Sequence, residues 1–386
     1  MTRGFSIYLD ALRFLAALVV FASHMGYDRF TNGSMAWIRT LNLGSDAVVV
    51  FFVLSGFVIA FTTFARDRGP AAYAEARIAR LYSVIIPALI FTFALDTLGT
   101  LTVPGAYQGW WYNGEDRIAQ LLQGLTFTTQ MWTDNTRVGS NGPFWSVAYE
   151  AWYYAGFGVA VFCKGRTRIL LLALMALVVG PRVLLLGPCW LLGVGLQQLV
   201  ARGHAASLSR TTGWLLAIAP WAIYAFALAL HMPQRLTWYT YKLLGEQITP
   251  NALFGFSDEF VWNFGIAVLM ALHFLGVYRL AREADWLGAR AETAIRWCAG
   301  ATFSLYLFHY PILTFLHGLP AYDSAKPLHA ALMAAVTLVA CFLLAEVSER
   351  RLGFWKRLVH GVFERLKPSP PTASGSGSLL SQRERG

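Results

Sequence analysis

The sequence predicts an all-α, polytopic membrane protein of about ten transmembrane helices with both termini in the cytoplasm. Three observations carry this prediction. Of 386 residues, 56% belong to the hydrophobic set and only 13% are charged, about half the charged share of an ordinary soluble domain, and mean hydropathy is +0.48. Apolar runs recur along nearly the whole chain with short polar gaps between them. Basic residues concentrate in alternate gaps. Together these exclude a soluble, a disordered or a disulfide-stapled chain. The net charge of +10 would raise nucleic acid as a partner for a soluble protein; here the surplus belongs to cytoplasmic loops, and no nucleic-acid partner is expected. Cys163, Cys189, Cys298 and Cys341 show neither CxxC nor Cys/His ligand spacing, so no disulfide framework and no metal site is expected.

A hydrocarbon core about 30 Å thick needs roughly 20 apolar residues per helix. Runs that meet or approach this lie at about 8–25, 44–64, 80–101, 145–163, 167–181, 183–201, 212–231, 260–278, 299–317 and 328–347. The first follows Arg3 as a signal peptide would. Asp10 and Arg13 interrupt it, however, and no convincing cleavage site follows, so it is expected to be retained. The fifth and sixth runs are separated only by Gly180, Pro181 and Arg182, which leaves open two spans, half-helices or a re-entrant segment. Beyond the membrane domain, 1–351, the stretch 352–386 reads as a basic, low-complexity cytoplasmic tail, disordered from about 367.

Orientation follows from Lys and Arg, which favour the cytoplasmic side. With the amino terminus inside, the inner gaps and tail hold 22 of them and the outer gaps 8. This favours both termini inside and an even number of spans; the expected location is the cytoplasmic (inner) membrane. Two outer segments are long. The first, 102–144, carries Trp110, Trp111, Tyr112 and Trp132, and the second, 232–259, carries Trp238, Tyr239 and Tyr241. Such aromatics serve as headgroup anchors or as platforms for sugar rings.

Ionisable groups inside a span are costly and face protein or a water-filled cavity. In the first span these are Asp10, Arg13 and His24. Eleven residues separate Arg13 from His24, three turns plus about 20°, so the two share a face about 16 Å apart along the axis. Asp10, three residues before Arg13, is placed to pair with it. That stripe suits an elongated anionic ligand entering from inside, with its reactive end presented outside; mutual neutralisation of Asp10 and Arg13, with His24 capping the helix, is the plainer alternative. Arg77 and Arg80 share a face at the inner start of the third span and read as a phosphate clamp or as a positive-inside anchor. Glu150 in the fourth span needs a partner. His309, two residues before Pro311, is suited to orient a kinked helix or to line the cavity, and His273 reads as a satisfied buried histidine.

These residues resemble the acyltransferase 3 family of integral membrane acyltransferases, whose first helix carries a basic residue, ten intervening residues and a His. Arg13 and His24 have that spacing. The resemblance continues in family order through Phe51-Phe-Val-Leu-Ser-Gly-Phe57, Arg77-Ile-Ala-Arg80, Phe144-Trp-Ser-Val-Ala-Tyr-Glu150 and Ser304-Leu-Tyr-Leu-Phe-His-Tyr-Pro311, and ends with Glu349. It brings Ser55, Trp145, Tyr306 and His309 into the candidate set. The chain departs from the family where Ala47-Val48-Val49 replaces a frequent Gly-Val-Asp, with Asp46 upstream, and where Ala151 replaces a second Glu.

The resemblance implies transfer of an acyl group, commonly acetyl, from cytoplasmic acetyl-coenzyme A to a hydroxyl of an extracytoplasmic carbohydrate, with no permanently bound cofactor. The residues suit that chemistry. A sugar hydroxyl needs a base during attack; His24 is assigned that role, with Glu150 orienting it or stabilising its charged form. Arg13, Arg77 and Arg80 are expected to hold the donor. A covalent acyl-His24 relay is the mechanistic alternative, and a transporter or flippase of a lipid-linked sugar the functional one. The expected partners are acyl-coenzyme A, a carbohydrate acceptor and membrane lipid; a homo-oligomer is compatible with the sequence.

Overall fold

A computed structural model describes residues 2–67, 69–245, 253–282 and 288–366. Among them the chain is helical and contains no strand, only an isolated bridge between Val138 and Asn141. The helices are α1 (Arg3–Met25), α2 (Asp28–Thr31), α3 (Ala36–Thr40), α4 (Leu43–Arg66), α5 (Pro70–Thr102), α6 (Arg117–Thr126), α7 (Trp145–Phe162), α8 (Gly165–Ala201), α9 (Arg210–Ala229), α10 (Met232–Leu244), α11 (Phe260–Leu280), α12 (Ala289–Ala299), α13 (Thr302–His317), α14 (Pro327–Val347) and α15 (Leu352–Leu366). Local chemistry starts them. Thr2 and Ser209 accept from backbone N–H groups in the first turns of α1 and α9, and Pro stands in the first turn of α5 and α14, where its missing N–H costs nothing.

Seven helices among the described residues are long and apolar enough to cross a membrane, and the pair α12 and α13, bent by 49°, makes up to eight. The expected fourth span is helical as α7, but its Trp, Tyr and Glu150 side chains keep its hydropathy below that of the others. The fifth and sixth runs fall within one assigned helix, α8, that is broken at Gly180 (φ 74°, ψ −174°). There the carbonyls of Val179 and Leu177 are taken up by Trp132, through its backbone N–H at 3.1 Å and its indole at 2.8 Å. The ends left open by the break are thus closed by the long loop, and 165–179 and 181–201 are separate helices. The positive φ and the Trp132 ring, 2.9 Å from where a Cβ would sit, both require glycine at 180.

Helix α4 lies at the centre, buried over most of its length. Its contact with the second half of α8 is backbone to backbone. A Cβ on Gly56 would meet the Trp190 carbonyl oxygen at 2.0 Å, and one on Gly193 the Val53 oxygen at 2.0 Å, the small-residue packing that membrane helices use in place of a hydrophobic driving force. The first part of the expected tail, Leu352–Leu366, is an amphipathic helix that packs on α5; residues from 367 lie outside the described set. His273 is buried as expected, with Tyr8, Trp221 and the Ala217 carbonyl around its ring nitrogens. Asp46 is also buried and accepts from Tyr224 and Trp262, each at 2.7 Å.

Candidate active site

A cavity of about 710 Å³ opens at the end of the bundle that carries Arg66 and Lys356 and runs between α1, α4, α5, α7 and α13. Its wall gathers Asp10, Arg13, Ser55, Arg77, Arg80, Glu150 and Tyr306, which the sequence scatters over almost 300 positions, and adds Arg66, Arg296, Lys356, Asp67, Tyr154 and Glu349. Basic groups outnumber acids around it, and the volume is that of a small-molecule site.

The cations are not equivalent. Arg77 is held by Asp67 at 2.8 Å and by Thr62 at 2.8 Å. Arg80 pairs with Glu349 at 2.7 Å. The other oxygen of Glu349 accepts from the backbone N–H of Phe303 and Ser304 at 2.9 and 3.0 Å, so one buried carboxylate fixes Arg80 and caps the exposed N–H groups of α13. Arg13 differs from both. Among the described residues it makes no hydrogen bond or close ion pair, although it feels the charges of Asp10, Arg80 and Glu349, and it faces the cavity with its donors uncommitted.

Two expected pairings are corrected. Asp10 does not bond Arg13; it accepts from Arg296 of α12 at 2.9 Å, a residue distant in sequence but packed against α1. Glu150 does not orient His24. Its Oε1 accepts from Ser55 at 2.7 Å and from the Tyr154 hydroxyl, and Ser55 in turn accepts from the Trp190 indole at 3.2 Å. Tyr154 stands four residues after Glu150, on the same helix face. Trp145 is also placed elsewhere: it stacks on Phe256 with ring centroids 4.5 Å apart and does not line the cavity.

His24 occupies the last turn of α1, at the opposite end of the bundle, where the chain turns at Gly26. Its Nδ1 is 2.8 Å from Nε2 of His309. His309 Nδ1 is 2.8 Å from the carbonyl oxygen of Leu305. A carbonyl only accepts, so His309 carries its proton on Nδ1; its neutral ring then accepts at Nε2, and His24 donates from Nδ1. Among the described residues the lone pair of His24 Nε2 has no partner. The hydrogen-bond partner of His24 is therefore His309, fully buried, and not a carboxylate. Pro311, two residues on, removes the N–H that would have bonded the Leu307 carbonyl; Asn141 fills the gap, donating from Nδ2 to that oxygen at 2.9 Å. One turn below His309, Tyr306 bonds Ser146 at 2.7 Å and forms part of the cavity wall, while neither histidine lines it.

Residues 6–346 match the family described as an acyltransferase domain. The chain belongs to the acyltransferase 3 family. Over 156 residues this acyltransferase is 33% identical to Acyltransferase MdmB of Streptomyces mycarofaciens, a match covering 39% of this chain and 37% of that protein. No solved structure matches it. Within the family domain, sequence reasoning missed the His24–His309 contact, the Arg296 partner of Asp10 and the double use of Glu349. Only Tyr154 carried a local signal, its i+4 spacing from Glu150.

Proposed function

We propose that this acyltransferase moves an acyl group, acetyl in the simplest case, from cytoplasmic acyl-coenzyme A to a hydroxyl of an extracytoplasmic carbohydrate at the inner membrane. In this reading ten segments cross the bilayer, with 165–179 and 181–201 as consecutive crossings and both termini inside. The cavity faces the cytoplasm and takes the donor's phosphates among Arg13, Arg77 and Arg80. The observation that carries the proposal is the α1 stripe: Arg13 with free donors in a basic cavity, and His24, about 16 Å along the same face, with a free Nε2.

The chemistry balances on these groups. His24 Nε2 takes the proton of the acceptor hydroxyl as its oxygen attacks the thioester carbonyl. His309 holds the ring and its Nδ1 proton in place, as a third group does in other nucleophile–base pairs. The carbon–sulfur bond then breaks, and the thiolate takes the proton back from the imidazolium, leaving the ester and free coenzyme A. Glu150 belongs to the donor end, where Ser55 and Tyr154 position it.

Membranes containing the full chain, labelled acetyl-coenzyme A and a panel of glycan acceptors provide the test. His24→Ala is expected to abolish label transfer at unchanged protein abundance; unchanged transfer rules out the assigned base. A stoichiometric burst of coenzyme A before acceptor is added, dependent on His24, replaces direct transfer by an acyl-His24 relay.

A further inference from the structure

Around His24 three guanidinium groups converge, and among the described residues none of them forms an ion pair with a carboxylate. Arg29 lies over Phe30 and Trp111, 4.4 and 4.3 Å from their ring centroids, and donates to the Tyr310 hydroxyl at 2.5 Å; its buried Nε has no partner among the described residues. Arg39 lies 3.6 Å over Tyr27, whose ring is stacked with His24 at 6.2 Å. Arg137 lies 4.8 Å over Trp110. Its Nη1 also reaches the space beside Gly142 that the Tyr310 ring borders, and Tyr310 meets His24 edge-on at 4.9 Å. The charges of all three arginines act on the imidazole.

This arrangement contrasts with the inner cavity, where Arg77, Arg80 and Arg296 each meet an acid. Among the described residues the guanidinium groups of Arg39 and Arg137 form no hydrogen bond or ion pair. Three like charges gathered round one ring repel each other. An arginine laid flat on an aromatic face keeps the hydrogen-bonding edge of its fork free for a planar or tetrahedral anion. Beside them Trp110 is 59% exposed, an available face for a sugar ring. Simple headgroup anchoring does not account for Arg29, which is packed inward under four aromatic rings.

Resting on the function proposed above, we propose that the acceptor is an anionic carbohydrate, carrying a phosphate or a carboxylate that Arg39 and Arg137 bind, so that a neighbouring hydroxyl is presented to His24. A charge-assisted contact of this kind changes affinity roughly 10- to 100-fold.

The test uses the full chain in nanodiscs of zwitterionic lipid, titrated with glucose, glucose 6-phosphate and glucuronate while tryptophan fluorescence is followed. Both anionic sugars, or one of them, are expected to bind at least about 10-fold more tightly than glucose. The preferred anion distinguishes phosphate from carboxylate. Arg39→Gln with Arg137→Gln is expected to remove the preference, and Arg137→Lys to retain most of it. Equal binding of the three sugars, binding of none, or a preference that survives the double Gln variant overturns the inference. So does a double variant whose only change is weaker association with anionic lipid, the signature of a headgroup anchor. Binding of labelled acetyl-coenzyme A to the same samples separates the two readings: donor binding without anion preference overturns this inference alone, whereas a wild-type chain that binds no donor overturns the proposed function.

Discussion

Replacing His309 by Ala removes the acceptor that keeps the His24 proton on Nδ1. The ring of His24 then keeps no hydrogen-bond partner among the described residues, and its Nε2 lone pair is no longer held toward the acceptor side. A positioned general base is worth about 100- to 10,000-fold in rate, or about 2.7 to 5.4 kcal/mol of barrier. The variant is expected to lose at least about 100-fold in kcat, with the KM for acetyl-coenzyme A within about twofold, because His309 does not line the cavity proposed to take the donor. The lost hydrogen bond itself contributes only about 1 kcal/mol to stability, and a thermal midpoint on the detergent-solubilised protein separates that effect from the loss of rate. The decisive comparison is the double variant. If His309 works through His24, adding His309→Ala to His24→Ala costs little more than His24→Ala alone. Losses that multiply, or a His309→Ala enzyme within about threefold of wild type, refute the tautomer argument.

Arg13→Ala should raise the KM for acetyl-coenzyme A roughly 10- to 100-fold while leaving the thermal midpoint nearly unchanged, since Arg13 bonds no protein group among the described residues; a stability loss without a KM change contradicts its role. Gly193→Ala forces a Cβ to within 2.0 Å of the Val53 oxygen, whereas at Gly195 nothing lies within 4 Å. The first is expected to cost about 1–3 kcal/mol and reduce the folded fraction by size-exclusion chromatography, and Gly195→Ala to be neutral or better. Burial raises the pKa of Glu259, at the loop end of α11, above the ordinary carboxylate value, against the opposing bonds from Asn42 and Ser45. The folded chain therefore holds that proton more tightly than the unfolded one, and the group destabilises progressively as pH rises from about 4.3 through its folded pKa. Glu259→Gln should raise the thermal midpoint at pH 8 and have little effect near pH 4; a benefit confined to acid pH contradicts this sign.

The sequence made the α1 stripe legible because both residues sit on one helix, where 3.6-residue periodicity fixes their relative direction. The same arithmetic places Trp145 about 140° round α7 from Glu150, consistent with its stacking away from the cavity, and puts Tyr154 beside Glu150. What periodicity cannot supply is the neighbour across a helix interface. His24 and His309 are 285 positions apart, Asp10 and Arg296 286, and only the packing of α1 against α12 and α13 joins them. Local rules favoured Asp10 with Arg13 because those are the nearest opposite charges in sequence; the packed bundle offered Asp10 a cation at hydrogen-bond distance. The Gly180-Pro181 break was visible as composition, but the indole and amide of Trp132 that close it belong to another part of the chain.

Helix α13 is held at its first turn and at its middle by the groups it connects. At its foot Glu349 grips the first turn and, with its other oxygen, Arg80 of the basic cavity. Six residues and about 9 Å higher, His309 sets the proton of His24. In the proposed reaction, donor recognition and base alignment thus share a single rigid rod, and a substitution that shifts its foot to retune the donor also shifts His309 at its middle. The two ends of that reaction, at opposite ends of the bundle, are not free to diverge independently.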